Sequence, residues 1–329
     1  MPFGPTPRPA ARVAHRRELN RMLRIGQEEM ERFFEGLVAS LQAKGVACAI
    51  TSGMACVEFG VAPSTKDCDV LCAIDAADEV RRTLDATSLR GARCGYRSHL
   101  SAPLDPRWLG GGWTSHFAWR VGDEEAVLDV FGVAPRGSVR WDLEHKGLYA
   151  SPHTVAEMKR TDRPKDWPFA SALGVKLIEA GDPRGWLHIF DIDVLQALAG
   201  RIPVPTEIIA GRPVLGLLVA GDERLEKALE GEVKFWQRLD RVRMRIYHDA
   251  VRPYAAALNR DPQADAPELG VQHACRVRHA ECLLAINPMR TYGLERLIAE
   301  AKEQAAALAP AGALAWLPDV RNNFTGLAE

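Results

Sequence analysis

The feature that most constrains this chain is a pair of acids at the head of a short apolar run, Asp67-Cys68-Asp69-Val70-Leu71-Cys72. Such a run, bounded by turn-forming residues, reads as a buried strand from Cys68 to Ile74, and alternate residues of a strand share one face. Asp67 and Asp69 therefore point to one side while Cys68 points to the other. Two neighbouring anions repel unless a cation neutralises them, and hard divalent ions take oxygen ligands of this kind. A third acid, Asp129, stands alone inside the apolar run Glu125 to Val133, where a charge needs a partner. The plainer alternative makes Asp67 a turn cap and Asp69 a solvated edge residue. Asp191 and Asp193 repeat the spacing within a helical pattern, where i and i+2 do not face each other, and read as surface.

The patterning around these acids alternates strand and helix. Apolar positions recur at helical spacing from Arg17 to Ala43, and Val46 to Ile50 reads as a buried strand. Gly53 to Gly60 reads as a short helix, Pro63 to Lys66 as a turn, and Ala76 to Thr87 as a further helix. Weaker strands are expected at Arg93 to Arg97 and Ser115 to Val121. From Val155 onward the pattern is helix after helix, the longest from Asp222 to Leu258, with others at Gly270 to Ile286 and Tyr292 to Leu308. The expected organisation is a proline-rich flexible arm over 1–16, an α/β (α+β) domain with a mixed sheet over 17–160, and an all-helical domain over 161–329.

Composition narrows the setting. With 42 Lys plus Arg against 43 Asp plus Glu, the net charge of −1 supplies no overall basic field, so any polyanion site must be a local patch. The 7 cysteines are odd in number and lack the paired spacings of a zinc ribbon, which fits a reduced, cytoplasmic setting. No run approaches the roughly 20 apolar residues that span a bilayer, so no membrane partner is expected.

The segment Ile50 to Leu71 resembles the signature of the DNA polymerase β-like nucleotidyltransferase superfamily. It is most similar to the branch found in abortive-infection toxins, toxin-antitoxin-like systems and related uncharacterised bacterial proteins. Gly53, Ala55, Gly60, Thr65, Asp67 and Asp69 follow that layout. Where the family carries a Gly-Gly or Gly-Ser pair, this chain has Ser52-Gly53. Asp129 resembles the family's third acid, and Lys159 to Asp166 resembles the Lys…Arg-x-Lys-Asp segment that follows the catalytic core. The resemblance implies a nucleotidyltransferase core that moves a nucleoside monophosphate from a nucleoside triphosphate to a hydroxyl acceptor: an RNA end, a protein or a small molecule. It implies Asp67, Asp69 and Asp129 as catalytic ligands of Mg2+ or Mn2+. Ser52, Gly53, Thr65, Lys66, Lys159, Arg163, Lys165 and Asp166 would serve the nucleotide. Two other readings stand beside it, a catalytically inactive nucleotide-binding module of the same fold and an antibiotic-modifying nucleotidyltransferase.

Three further features carry weaker implications. The stretch Asp105 to His116, rich in Gly and Trp, reads as a hairpin whose aromatics pack on the core, or alternatively as a loop closing over a base with His116 on phosphate or acceptor. His273, Cys275, His279 and Cys282 lie close in sequence but fit no common zinc spacing. Lys234, Arg238, Arg241, Arg243, Arg245 and Arg252 make the longest helix locally basic, as solvated arginines beside a buried stripe or as a grip on RNA.

Overall fold

The computed structural model describes residues 25–145 and 147–324. The arm over 1–16 and the expected helix start at Arg17 lie outside the described residues. Helix α1 (Gln27–Ala43) packs Phe34, Leu37 and Leu41 under the sheet. Strand β1 (Cys48–Thr51) runs straight into α2 (Ser52–Glu58), and β2 (Asp67–Cys72) follows after a loop. Beyond β2 come a 3-10 turn, α3 (Ala77–Ala86), the short β3 (Ser88–Leu89) and β4 (Ala92–Tyr96). Ile74, expected to end the second strand, belongs instead to that 3-10 turn.

The Asp105–Trp113 stretch, expected as part of a hairpin or a loop, contains a five-residue helix, α4 (Pro106–Gly110). Asp105 caps it by accepting the Arg107 N-H at 2.9 Å, and proline at the first helical position favours such a start. Strands β5 (Thr114–Val121) and β6 (Glu124–Phe131) then form a tight hairpin in which Val121 faces Glu124. The sheet order is β1-β2-β6-β5-β4-β3. It is mixed, because β2 and β6 run parallel while the other pairs are antiparallel.

The rest of the described chain is helical: α5 (Pro152–Met158), α6 (Trp167–Glu179), α7 (Ile192–Ala199), α8 (Thr206–Gly211), α9 (Val214–Ala220), α10 (Leu225–Leu258), α11 (Leu269–Leu283), α12 (Pro288–Tyr292) and α13 (Leu294–Ala306), with short 3-10 turns between. Gly293, at φ +92°, separates α12 from α13, so Tyr292, expected to start the last long helix, instead ends the short α12. No described helix is long and apolar enough to cross a membrane.

The Gly/Trp stretch is the socket that joins sheet to helices. Trp108 and Trp113 are buried in the core built mainly from α10, α11 and α13. Their indole N-H groups donate to Leu284 O at 3.2 Å and Ala285 O at 2.9 Å. A Cβ on Gly111 would stand 1.7 Å from Ile286 O, so the backbones meet at a distance that admits only glycine. The aromatics pack on the core as the first of the two sequence readings expects, but the stretch that carries Trp108 is a short helix rather than a hairpin. On the far side of the helical half, Arg212 and Glu232 form a buried pair, and the guanidinium also donates to Trp186 O at 2.7 Å and Ile189 O at 2.8 Å.

A candidate active site at the β2–β6 pair

The parallel register of β2 and β6 sets Asp69 directly opposite Asp129 and Asp67 opposite Val127. Residues in register on neighbouring strands share a face, and so do residues two apart on one strand. All three carboxylates therefore project from one face, while Cys68 is fully buried on the other. Asp67 is exposed and Asp69 and Asp129 are half-buried, so the cluster opens to solvent.

The electrostatics follow from that placement. Burial, then the charges of Asp129 and Asp67, push the Asp69 carboxyl up to about 7 from 3.8; the Ser52 hydroxyl and Lys159 partly offset the rise. A carboxyl held this far up reports negative charge without enough neutralisation around it.

Local backbone geometry brings Ser52 into the cluster. The chain turns sharply from β1 into α2, and Ser52 takes φ +55°, a left-handed conformation that costs a non-glycine residue about 1 kcal/mol or more. This is the position where the resemblance has a glycine, and the strain is held in place by Thr51, fully buried and in register with Asp69. At Gly53 a Cβ would lie 2.3 Å from Thr65 Oγ1, so the absence of a side chain lets the 61–66 loop close down. Thr65 Oγ1 in turn donates to Asp67 Oδ1 at 3.1 Å. Ser52, Gly53, Thr65 and the acids thus form one contiguous wall.

A neighbour that the sequence reading placed elsewhere completes the wall. His116 faces Asp129 across the β5–β6 hairpin, and its Nδ1-H donates to Asp129 Oδ1 at 2.7 Å. The alternative loop reading gives His116 a phosphate or acceptor to contact; in the structure its ring bonds the third acid. A signal for this was present, because Gly122-Asp123 between two strand-like runs fixes a two-residue turn and hence pairs 116 with 129.

The cations sit on the segment between α5 and α6. Asp166, buried, accepts from Thr161 Oγ1 at 2.6 Å and Arg163 Nε at 2.8 Å and pairs with Lys159 at 3.8 Å. Lys159 is buried beneath the Phe169 ring and close enough to act electrostatically on Asp69. Arg163 is more than half exposed. Lys66 and Lys165 are exposed and, among the described residues, make no ion pair. The long helix holds this segment from behind: Asp240 accepts the Asp162 N-H at 3.0 Å and pairs with buried Arg136, whose guanidinium also donates to Met158 O. Arg160 stacks 4.7 Å over Trp236 of the same helix.

The basic stripe of α10 is largely neutralised in place. Arg241 pairs with Asp162, Arg243 with Asp240, Arg245 with Glu300 and Arg252 with Asp249. Among the clustered His and Cys residues, Cys275 and His279 meet at Asp261, a partner the sequence reading did not include. Compared with known proteins, the chain matches no family model, no curated protein and no solved structure.

Proposed function

We propose that the chain is a metal-dependent nucleotidyltransferase that moves a nucleoside monophosphate from a nucleoside triphosphate to a hydroxyl acceptor. The observation that carries this reading is the in-register pairing of Asp69 with Asp129, with Asp67 on the same face and Asp69 pushed up to about 7 by burial and then by the charges of Asp129 and Asp67. Three carboxylates on one solvent-open face would form an all-oxygen donor set suited to Mg2+ or Mn2+ once drawn together around the ion, their oxygens not all lying within 4.8 Å of one another here. Bound there, such ions would neutralise the triphosphate and acidify an attacking hydroxyl.

The chain's own residues supply the rest. The acceptor oxygen attacks the α-phosphorus, a new P–O bond forms as the α,β-bridging P–O bond breaks, and pyrophosphate leaves. Asp129, oriented by His116, takes the acceptor proton. Arg163, held by Asp166, and the exposed Lys66 and Lys165 are the cations available to triphosphate oxygens, while buried Lys159 acts on the acids through space. A cavity of about 780 Å3, lined by Gly60, Val61, Pro164, Trp167 and Phe190, opens beside this segment and offers apolar surface for a base or an acceptor. The pairing of the α10 arginines weakens the case for an RNA grip there and leaves protein and small-molecule acceptors favoured.

Calorimetry with Mg2+ and each nucleoside triphosphate, followed by incubation with labelled triphosphate and cell extract, tests the reading. Magnesium-dependent binding and transfer of label, both lost in Asp129→Asn, are expected. Binding without transfer would favour the inactive module, and binding indifferent to magnesium and to Asp129→Asn would overturn the metal site.

A further inference from the structure

We propose that Asp261, Cys275 and His279 form a second metal site that takes a borderline-soft divalent ion such as zinc and fastens the 261–265 turn to helix α11. One ligand atom from each of the three residues lies within 4.8 Å of the others. His279 Nε2 stands 2.9 Å from Asp261 Oδ2. Ligand atoms of a tetrahedral zinc centre stand roughly 3.3–3.8 Å apart, so side-chain adjustments suffice.

The fold prepares these groups independently of any ion. Cys275 and His279 are one helical turn apart and so share a face of α11. Asp261 is set by the backbone, its Oδ1 accepting the Gln263 N-H at 3.0 Å. Cys275 is fully buried, while Asp261 and His279 keep 21% and 24% of their side chains exposed, so an ion can enter from solvent.

Charge arithmetic favours a divalent ion despite the arginines nearby. A carboxylate, a thiolate and a neutral imidazole bring two negative charges, so the occupied centre is neutral. Binding displaces the Cys275 thiol proton to solvent. Arg278, which reaches Asp261 Oδ2 at 3.0 Å, is 56% exposed and also bonds Gln263 Oε1 at 3.0 Å, so it can retreat onto the amide. The thiolate selects zinc or cobalt over magnesium, which separates this site chemically from the three-carboxylate cluster.

The position gives the ion a role. One turn along α11, Gln272 Oε1 accepts the Tyr96 N-H at 2.8 Å, the Tyr96 hydroxyl bonds His273 Nδ1 at 2.9 Å, and Arg276 stacks 4.2 Å over the Tyr96 ring. This is the joint between strand β4 and the helical half, and an ion at 261/275/279 would stiffen it.

The test uses the full chain purified without chelator, analysed for bound zinc and titrated with cobalt(II). One equivalent of zinc, a thiolate-to-cobalt charge-transfer band at one equivalent and a raised Tm with added zinc are expected. Cys275→Ser should remove the band, and the partly exposed His279→Gln, which leaves the core intact, should lose zinc while keeping its circular dichroism. Cys282→Ser, which changes the one exposed cysteine, should behave as wild type, and Asp69→Asn should keep its zinc even if nucleotide transfer fails. Absence of the cobalt band, its loss in Cys282→Ser instead, or zinc binding unchanged by His279→Gln would each overturn the proposal.

Discussion

Replacing Asp69 with Asn keeps the side-chain shape and removes the charge that its surroundings tolerate least. The shift from 3.8 to about 7 spans about 3 pH units, which at about 1.4 kcal/mol per unit sets a ceiling near 4 kcal/mol. The carboxyl is densely packed by protein yet keeps a solvent-facing edge, and water screening brings the expected cost to about 2 kcal/mol. The folded state holds the Asp69 proton to higher pH than the unfolded chain does. This contribution to stability is therefore present below about pH 4 and is lost as pH rises toward 7. At pH 8 without divalent ions, Asp69→Asn should be the more stable protein by about 2 kcal/mol, or roughly 3 °C in Tm for a chain of this length, and the gap should close toward pH 4. Added Mg2+ should raise the wild-type Tm and leave the variant unchanged. Differential scanning calorimetry of both proteins at the two pH values, with and without Mg2+, reads this directly. A variant less stable than wild type at pH 8, or a difference independent of pH, would show that the three acids do not share a field.

Gly53→Ala should fold but bind Mg2+ and triphosphate several-fold more weakly, because the new methyl displaces the Thr65 hydroxyl from Asp67; adding Thr65→Ala should relieve the clash without restoring that bond, so a double variant with full affinity would refute the argument. His153, pushed down to about 3 by burial and then by Arg184 and Arg160, and its partner His188, held well below the usual imidazole range by burial and then by Arg160, are neutral in the folded protein. Each therefore lowers stability by up to about 1.4 kcal/mol per pH unit as pH falls below about 6.5. Urea unfolding between pH 7 and pH 5, run on Asp69→Asn to remove the opposing contribution, should show this slope, and a flat profile would refute it. Arg212→Leu should cost about 3–5 kcal/mol by stranding Glu232, whereas Arg212→Leu with Glu232→Leu should recover much of the loss; chemical denaturation of the three proteins decides between them.

The sequence by itself determined the local elements and their order. Period-2 and period-3.6 apolar patterns are short-range properties, so β1, β2, β6 and the long helix α10 lie within a few residues of their expected bounds, and the Asp67/Asp69 pair faces one way by strand alternation alone. The tight turn at Gly122-Asp123 even encoded the His116–Asp129 pairing. What only the tertiary structure decided are matters of long-range register and side-chain company. The parallel pairing of β2 with β6 depends on a connection of more than fifty residues that no local pattern specifies, and it is this pairing that sets Asp69 against Asp129. Arg243 and Arg252 have local partners one turn away on α10 in Asp240 and Asp249, whereas Arg241 and Arg245 meet Asp162 and Glu300 only through packing. Asp261 joined Cys275 and His279 because the 261–265 turn folds back on α11. The Gly/Trp stretch became a socket rather than a lid because α4 meets the backbone of Ile286. Charges and close approaches act through space, whereas sequence patterns report only what neighbours along the chain can do.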